Sequence, residues 1–164
     1  MPHNPSRSRF RWVFDGICAG LIGGVTIWIY EAVVWVGIQH QMPLEGIPRN
    51  AVGLVFGNAL RDRLGVLADV MGTVIHFSFA AVWGVVFAGL WPVFARRGTE
   101  ATFAGLVYGA VVWVAMHLAI MAAGQQHPDY SNANVVIGGL MSHFFYGVPL
   151  ALWVKRQFAR STTL

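Results

Sequence analysis

Four residues whose side chains could do chemistry lie inside long apolar stretches of the sequence: Glu31, His76, His117 and His143. Glutamate and histidine bind metal ions and exchange protons, and ionisable groups placed within a membrane commonly mark functional sites. A charged carboxylate at the centre of a membrane costs roughly 2.5–3.5 kcal/mol. Glu31 therefore needs either a proton or a partner, and the three histidines are the candidate partners.

The stretches that hold these residues are long enough to cross a membrane. A spanning helix needs about 20 apolar residues at a rise of 1.5 Å each, and four runs qualify, at about 13–38, 68–95, 101–124 and 134–154. The composition agrees, because 56% of the residues are hydrophobic and only 11% are charged, which excludes an ordinary soluble domain. We predict an all-α polytopic membrane protein, in which residues 13–157 form one antiparallel bundle of four transmembrane helices within the lipid bilayer.

The basic residues indicate how this bundle is oriented. Most lie at one side, at Arg7, Arg9, Arg11, Arg96, Arg97, Lys155, Arg156 and Arg160, and three lie at the other, at Arg49, Arg61 and Arg63. Loops rich in Lys and Arg stay on the cytoplasmic side of a membrane. We therefore predict that both termini are cytoplasmic, with a basic tail at 1–12 and a second tail at 158–164.

The long connection between the first two runs is predicted to lie on the outer side, opposite the termini. Apolar residues recur there at helical spacing, at Val52, Val55, Phe56, Ala59, Leu60 and Leu64. This pattern is typical of a short amphipathic helix that lies on the outer membrane surface.

The four ionisable residues share one depth. Each lies about 7 to 9 positions from the outer end of its run, which places it roughly 10–14 Å below that end. Glu31 is also about two helical turns from Gly24, so it shares the face of the glycine ridge formed by Gly16, Gly20 and Gly24. We predict a Glu and His cluster in the outer half of the bundle, with one member from each helix.

Small residues flank two of the histidines at intervals of four. His76 lies between Gly72 and Ala80, and His143 lies between Gly139 and Gly147. In membranes such spacing usually marks close helix packing. It would also leave room beside an imidazole. Glycine-rich faces, including Gly105 and Gly109, could equally contact a membrane-protein partner or a second copy of the chain.

Several functions fit this set of residues. The histidines could be neutral groups that hydrogen-bond within the bundle and tune its packing. Glu31, His76, His117 and His143 could together bind a transition metal ion such as Zn, Cu or Fe, although no HxxxH or HExxH spacing occurs. Alternatively, His76 and His143 could be the axial ligands of a b-type haem, with room left for it by Gly72, Gly139 and Gly147. The same groups could also relay protons.

Other classes of function are disfavoured by the sequence. It has no nucleotide-binding motif, nucleophile elbow or CxxC pair, so we expect a binding or accessory protein rather than an enzyme. Nucleic acid is an implausible partner because the basic residues flank the membrane spans. A structural subunit of a larger membrane complex remains an alternative.

Three stretches, IHFSFAAVWGVVFAGLWP, VAMHLAIMAAG and GLMSHFFYGVPLALWVKR, preceded by LRDRLG, resemble the YagU family of small four-span bacterial inner-membrane proteins. The resemblance covers most of the chain from the first helix onward. It implies a multi-pass protein of the bacterial inner membrane with one histidine on each of helices two, three and four. These would be His76, His117 and His143. The resemblance implies no particular biochemical activity.

Overall fold

The computed structural model describes residues 5–123 and 130–162, and within these ranges all regular structure is helical. Helix α1 spans Pro5–Glu31 and continues as a π-helical segment, Ala32–Ile38. Two short helices follow, α2 (Gly46–Phe56) and α3 (Asn58–Leu64), and then three long ones, α4 (Val66–Arg96), α5 (Ala101–Ala123) and α6 (Ala133–Thr162). The predicted all-α fold is confirmed.

Four stretches of helix are long and apolar enough to cross a membrane, over Phe10–Ile38, Val66–Arg96, Ala101–Ala122 and Ala133–Arg160. The predicted runs match these spans closely, because hydropathy follows contact with lipid. The helices extend further at both termini than predicted. Helix α1 begins at Pro5, inside the predicted 1–12 tail, where proline suits a first helical turn, and α6 runs to Thr162. Gly124, the predicted end of the third span, lies outside the described residues.

The connection before α4 contains two helices, where a single amphipathic helix was predicted. The break is at Gly57, whose φ of 88° lies in a region that favours glycine. Helix α2 packs directly on α4, where a Cβ at Gly72 would overlap the carbonyl of Pro48. Arg49 adds an ion pair, with its Nε donating to Oδ1 of Asp69 at 2.6 Å and a second guanidinium nitrogen donating to Oδ2 at 3.1 Å. Helix α2 is therefore fixed against the bundle.

The long helices make an incomplete ring. Helix α1 packs against α4 and α6, and α5 packs against α6, whereas α4 and α5 meet at only a few residues. Buried side chains fill the half of the bundle remote from α2, here called the core half, where Phe87, Leu150 and Val154 are almost fully buried. The other half, next to α2, is called the α2 half. It is there that α4 and α5 leave space.

Both predicted glycine faces form contacts between helices of the same chain. A Cβ at Gly84 of α4 would overlap the backbone of Gly16 and Gly20 in α1. In the same way, a Cβ at Gly105 would overlap the backbone of Gly147, where α5 crosses α6. Such close backbone approach is how helices associate in lipid. At these positions the two faces are therefore occupied by neighbouring helices of the same chain.

Candidate functional site

A cavity of about 380 Å³ lies in the α2 half of the bundle, and Glu31, His76, His117 and His143 all line it. Each comes from a different spanning helix. Apolar side chains make up most of the remaining wall, among them Ile27, Ile75, Phe79, Trp83, Val112, Met116 and Ile120. Helix α2 covers the cavity with Ile47, Asn50, Ala51, Leu54 and Val55.

Glu31 lies where α1 changes from α-helical to π-helical geometry. The wider turn is visible in the hydrogen bond from the N–H of Gln39 to the carbonyl of Val34, five residues earlier, at 2.8 Å. Short π-helical segments are frequent at functional sites because they redirect side chains. Within residues 5–123 and 130–162 the Glu31 carboxyl group has no hydrogen-bond or ion-pair partner. It lines the cavity, and none of the described residues hydrogen-bonds to it.

Each histidine is held by one backbone carbonyl. His117 and His143 place Nδ1 at 2.7 Å from the carbonyl of Trp113 and at 2.8 Å from that of Gly139, each four residues earlier in the same helix. His76 instead reaches across to α1, with Nε2 at 3.1 Å from the carbonyl of Gly24. These contacts orient all three rings from fixed points on the helices.

The carbonyl contacts also assign the tautomers of the neutral rings. A carbonyl oxygen can only accept, so the ring nitrogen that contacts it carries the proton and the other nitrogen is a bare acceptor. The acceptors are Nδ1 of His76 and Nε2 of both His117 and His143. Together with the Glu31 carboxyl group, the cavity wall therefore carries four groups that accept hydrogen bonds.

Two hydroxyl groups of the cavity lining donate to backbone carbonyls. Tyr146 donates its hydroxyl to the carbonyl of Ala80 at 2.7 Å, and Ser142 donates to the carbonyl of Gly139 at 2.8 Å. The indole nitrogen of Trp35 is covered and would lie 3.1 Å from a Cβ at Gly138. The indole N–H groups of Trp28, Trp35 and Trp113 are buried and have no hydrogen-bond partner among the described residues.

Aromatic rings pack against two of the imidazoles. The ring of Trp113 lies 4.4 Å from that of His117, and Trp28 lies 5.4 Å from His76, measured between centroids. All three imidazoles line the same cavity. The three imidazoles are thus one group, held among large side chains that limit their movement.

The glycines that flank the histidines do not serve one common purpose. Gly139 lines the cavity and lies under the indole of Trp113, whereas Gly72 and Gly147 are outside the cavity lining. Pro48 fills the space beside Gly72, and Gly105 fills the space beside Gly147. The expected room for a haem at these two positions is therefore taken by neighbouring backbone.

The described residues contain no group of three or more His, Cys, Asp or Glu side chains placed to hold a metal ion. Glu31, His76, His117 and His143 share a cavity, but they surround it without converging on one point. A transition metal would need these side chains to move towards it. The structure therefore gathers the predicted metal ligands without forming a coordination site.

Sequence reasoning missed several residues of this site. Gln41, Met42, Asn50 and Asn134 line the α2 end of the cavity. The contributions of Asn50 and Gln41 depend on how the connection folds back over α4, which no local pattern encodes.

No protein-family model, curated protein or solved structure matches the chain.

Proposed function

We propose that this membrane protein binds a ligand through a cationic or hydrogen-bond-donating group, which the four ionisable residues accept in the cavity. The observation that carries the proposal is that one such residue from each spanning helix lines the same space. Among the described residues no hydrogen bond is made to these acceptors, and a buried acceptor without a partner is unfavourable. A donor or cation in the cavity satisfies these acceptors.

The arrangement supports binding rather than catalysis. The hydroxyls of Tyr146 and Ser142 are engaged with backbone carbonyls, so neither is poised as a nucleophile. The histidines are likewise fixed by backbone contacts. What the site offers a ligand is a set of oriented acceptors, one of them a carboxyl group that can compensate a positive charge.

A matched pair of small probes tests the proposal. n-Butylammonium and butyrate have chains of similar size, but one head is a cationic donor, like a lysine side chain at neutral pH, and the other is an anionic acceptor. Trp35 and Trp83 line the cavity, so tryptophan emission of the detergent-purified protein reports binding. We expect butylammonium to bind at least tenfold tighter than butyrate, and Glu31→Gln to remove most of that preference. Equal affinities, or an unchanged preference in Glu31→Gln, would overturn the proposal.

A transition metal ion is a second candidate ligand. It is favoured by the bare Nε2 atoms of His117 and His143, because metal-binding histidines commonly donate their other ring N–H to a carbonyl. Cobalt(II) titration tests it, since nitrogen ligation produces visible absorption bands. Stoichiometric bands that disappear in His143→Phe would support a metal site, and no bands at millimolar cobalt would exclude it. A b-type haem has less support because Pro48 and Gly105 fill the space beside Gly72 and Gly147. A Soret band in the purified protein would be needed to support a haem.

We further propose that the chain belongs to the bacterial inner membrane as a YagU-like protein, with cytoplasmic termini and the α2 half towards the outside. The orientation is supported by Arg11, Arg96 and Lys155, which lie at the end remote from α2. A fluorescent protein fused to the C-terminus should be bright, and alkaline phosphatase at the same place should be inactive; the opposite pattern would reverse the orientation.

A fixed co-purifying protein, with neither butylammonium nor butyrate bound, would instead favour a structural subunit. Histidine-dependent proton flux in liposomes would favour a proton relay.

A further inference from the structure

Both α4 and α5 contribute to the cavity wall, and these two helices meet at only a few residues. Its wall on α4 includes Ile75, Phe79 and Trp83, and its wall on α5 includes Met116 and Ile120. These side chains are apolar, and they belong to stretches long and apolar enough to span a membrane. Phe79 is 42% exposed, so the cavity wall reaches the surface of α4 within a stretch that would contact lipid.

An apolar groove adjoins the cavity along α4. It has a volume of about 300 Å³ and shares three lining residues, Val55, Ile75 and Phe79, with the cavity. Its remaining lining comes from Val74, Ser78 and Val82, and the two valines are about 60% exposed, at 61% and 59%. Cavity and groove thus form one continuous surface, with acceptors at one end and apolar side chains at the other.

We propose that the ligand is a membrane-dissolved long-chain amphiphile with an ammonium head. The head lies among Glu31 and the histidines, and the chain passes Phe79 into the groove on α4. This inference rests on the proposed binding of a cation in the cavity, and adds that the ligand arrives from the lipid between α4 and α5. A carboxyl group and bare imidazole nitrogens match an ammonium head, whereas the groove offers a chain only apolar contacts and one serine.

The groove can be filled without touching the cavity. Ser78 lines the groove but not the cavity, and it is exposed, so a larger side chain there faces lipid rather than the core. Ser78→Phe should weaken binding of dodecylammonium in phosphatidylcholine nanodiscs at least fivefold and leave butylammonium affinity unchanged. Val86→Phe is the matched control, since Val86 is an exposed residue of α4 outside both linings, and it should change neither affinity.

A second measurement locates the alkyl chain of the bound ligand. Dodecylamine brominated near its middle should quench tryptophan emission in a saturable manner, and Trp83→Phe should remove much of that component, because Trp83 is in the α4 wall. Unlabelled dodecylamine should compete, whereas dodecanoate should not. Affinities are compared after correction for partition into the nanodisc lipid.

The outcomes separate the two proposals. If butylammonium binds with the expected dependence on Glu31 but Ser78→Phe leaves dodecylammonium binding unchanged, the cation site stands and the lipid-borne ligand is wrong. If butylammonium shows no preference over butyrate, the proposed function itself has failed. A wild-type dimer in nanodiscs that Ser78→Phe converts to a monomer would show that a second copy covers the groove, and would also overturn the inference.

Discussion

The two halves of the bundle use the same kind of helix in different ways. In the core half, α1 meets α4 and α5 meets α6 through glycines, and side chains such as Phe87 and Leu150 are completely buried. In the α2 half, α4 and α5 separate, and the ionisable residues line the resulting cavity. The contrast shows that Glu31 and the three histidines lie where the helices do not close on one another. Stability should therefore depend mainly on one half and ligand binding on the other.

The largest expected effect is in the core half. Gly84→Ala places a Cβ against the backbone of Gly16 and Gly20, which cannot move aside as a side chain can. Overpacking of this kind costs about 1–3 kcal/mol or more. We expect a loss of that size in the free energy of unfolding, measured by denaturant titration in detergent. Gly89→Ala in the same helix is the control, because its Cβ would meet only the ring of Trp12 at 3.5 Å and should leave stability unchanged or slightly higher.

In the α2 half, a substitution should weaken ligand binding and leave stability unchanged. Glu31→Gln removes the charge that complements a cationic head, and hydrogen bonds to charged groups contribute about 1.5–3 kcal/mol. We expect butylammonium affinity to fall about 10- to 100-fold, with no loss of stability, because the free carboxyl group has no partner among the described residues. Asp15→Asn removes an acid from the same helix outside the cavity lining and should leave binding unchanged. Unfolding of Glu31→Gln would show that the carboxyl group is structural.

Tyr146 joins the two halves and should give a smaller effect. Tyr146→Phe deletes the hydrogen bond from its hydroxyl to the carbonyl of Ala80 in α4, and one such bond contributes about 1 kcal/mol. We expect a loss of about that size in the free energy of unfolding, with the preference for butylammonium retained. Tyr30→Phe is the comparison, since none of the described hydrogen bonds uses its hydroxyl. A loss of ligand preference in Tyr146→Phe would place this hydroxyl in the binding site.

The smallest effect concerns the short turn between α4 and α5. Burial raises the pKa of Glu100, but the N–H groups of Phe103 and Thr102 that donate to its carboxylate outweigh this and hold the pKa below its ordinary value of 4.5. The carboxylate therefore adds stability above pH 4.5, and this contribution is lost as the pH falls through the lower folded-state value. Melting curves between pH 6 and pH 3 should show a smaller acid-induced loss in Glu100→Gln than in wild type. An identical acid dependence would mean that the carboxylate does not cap α5.

Much of the fold was predictable because a membrane-spanning helix is indicated by a local run of apolar residues. Runs of apolar residues gave the spans, and the fixed rise of 1.5 Å per residue was enough to place Glu31 and the three histidines at one level. The helix break at Gly57 could have been predicted, because glycine interrupts helices, but the apolar residues continue at helical spacing across it.

The rest depends on contacts between segments distant in sequence. Gly72 and Gly147 looked like spaces beside histidines, yet Pro48 and Gly105 occupy them. Spacing identifies a small residue but not what packs against it. The π-helical segment after Glu31, and the carbonyl of Gly24 that holds His76, are likewise set by packing rather than by any short motif.

The most direct test of the acceptor-lined cavity is ¹⁵N magnetic resonance of the histidine rings in nanodiscs, with each ring assigned by single substitution. We expect neutral rings with the proton on Nδ1 for His117 and His143 and on Nε2 for His76. Adding butylammonium should shift the signals of the three bare nitrogens together, and Glu31→Gln should weaken that response. The opposite tautomers, or signals that butylammonium does not move, would contradict a cavity that binds a cation through these four residues.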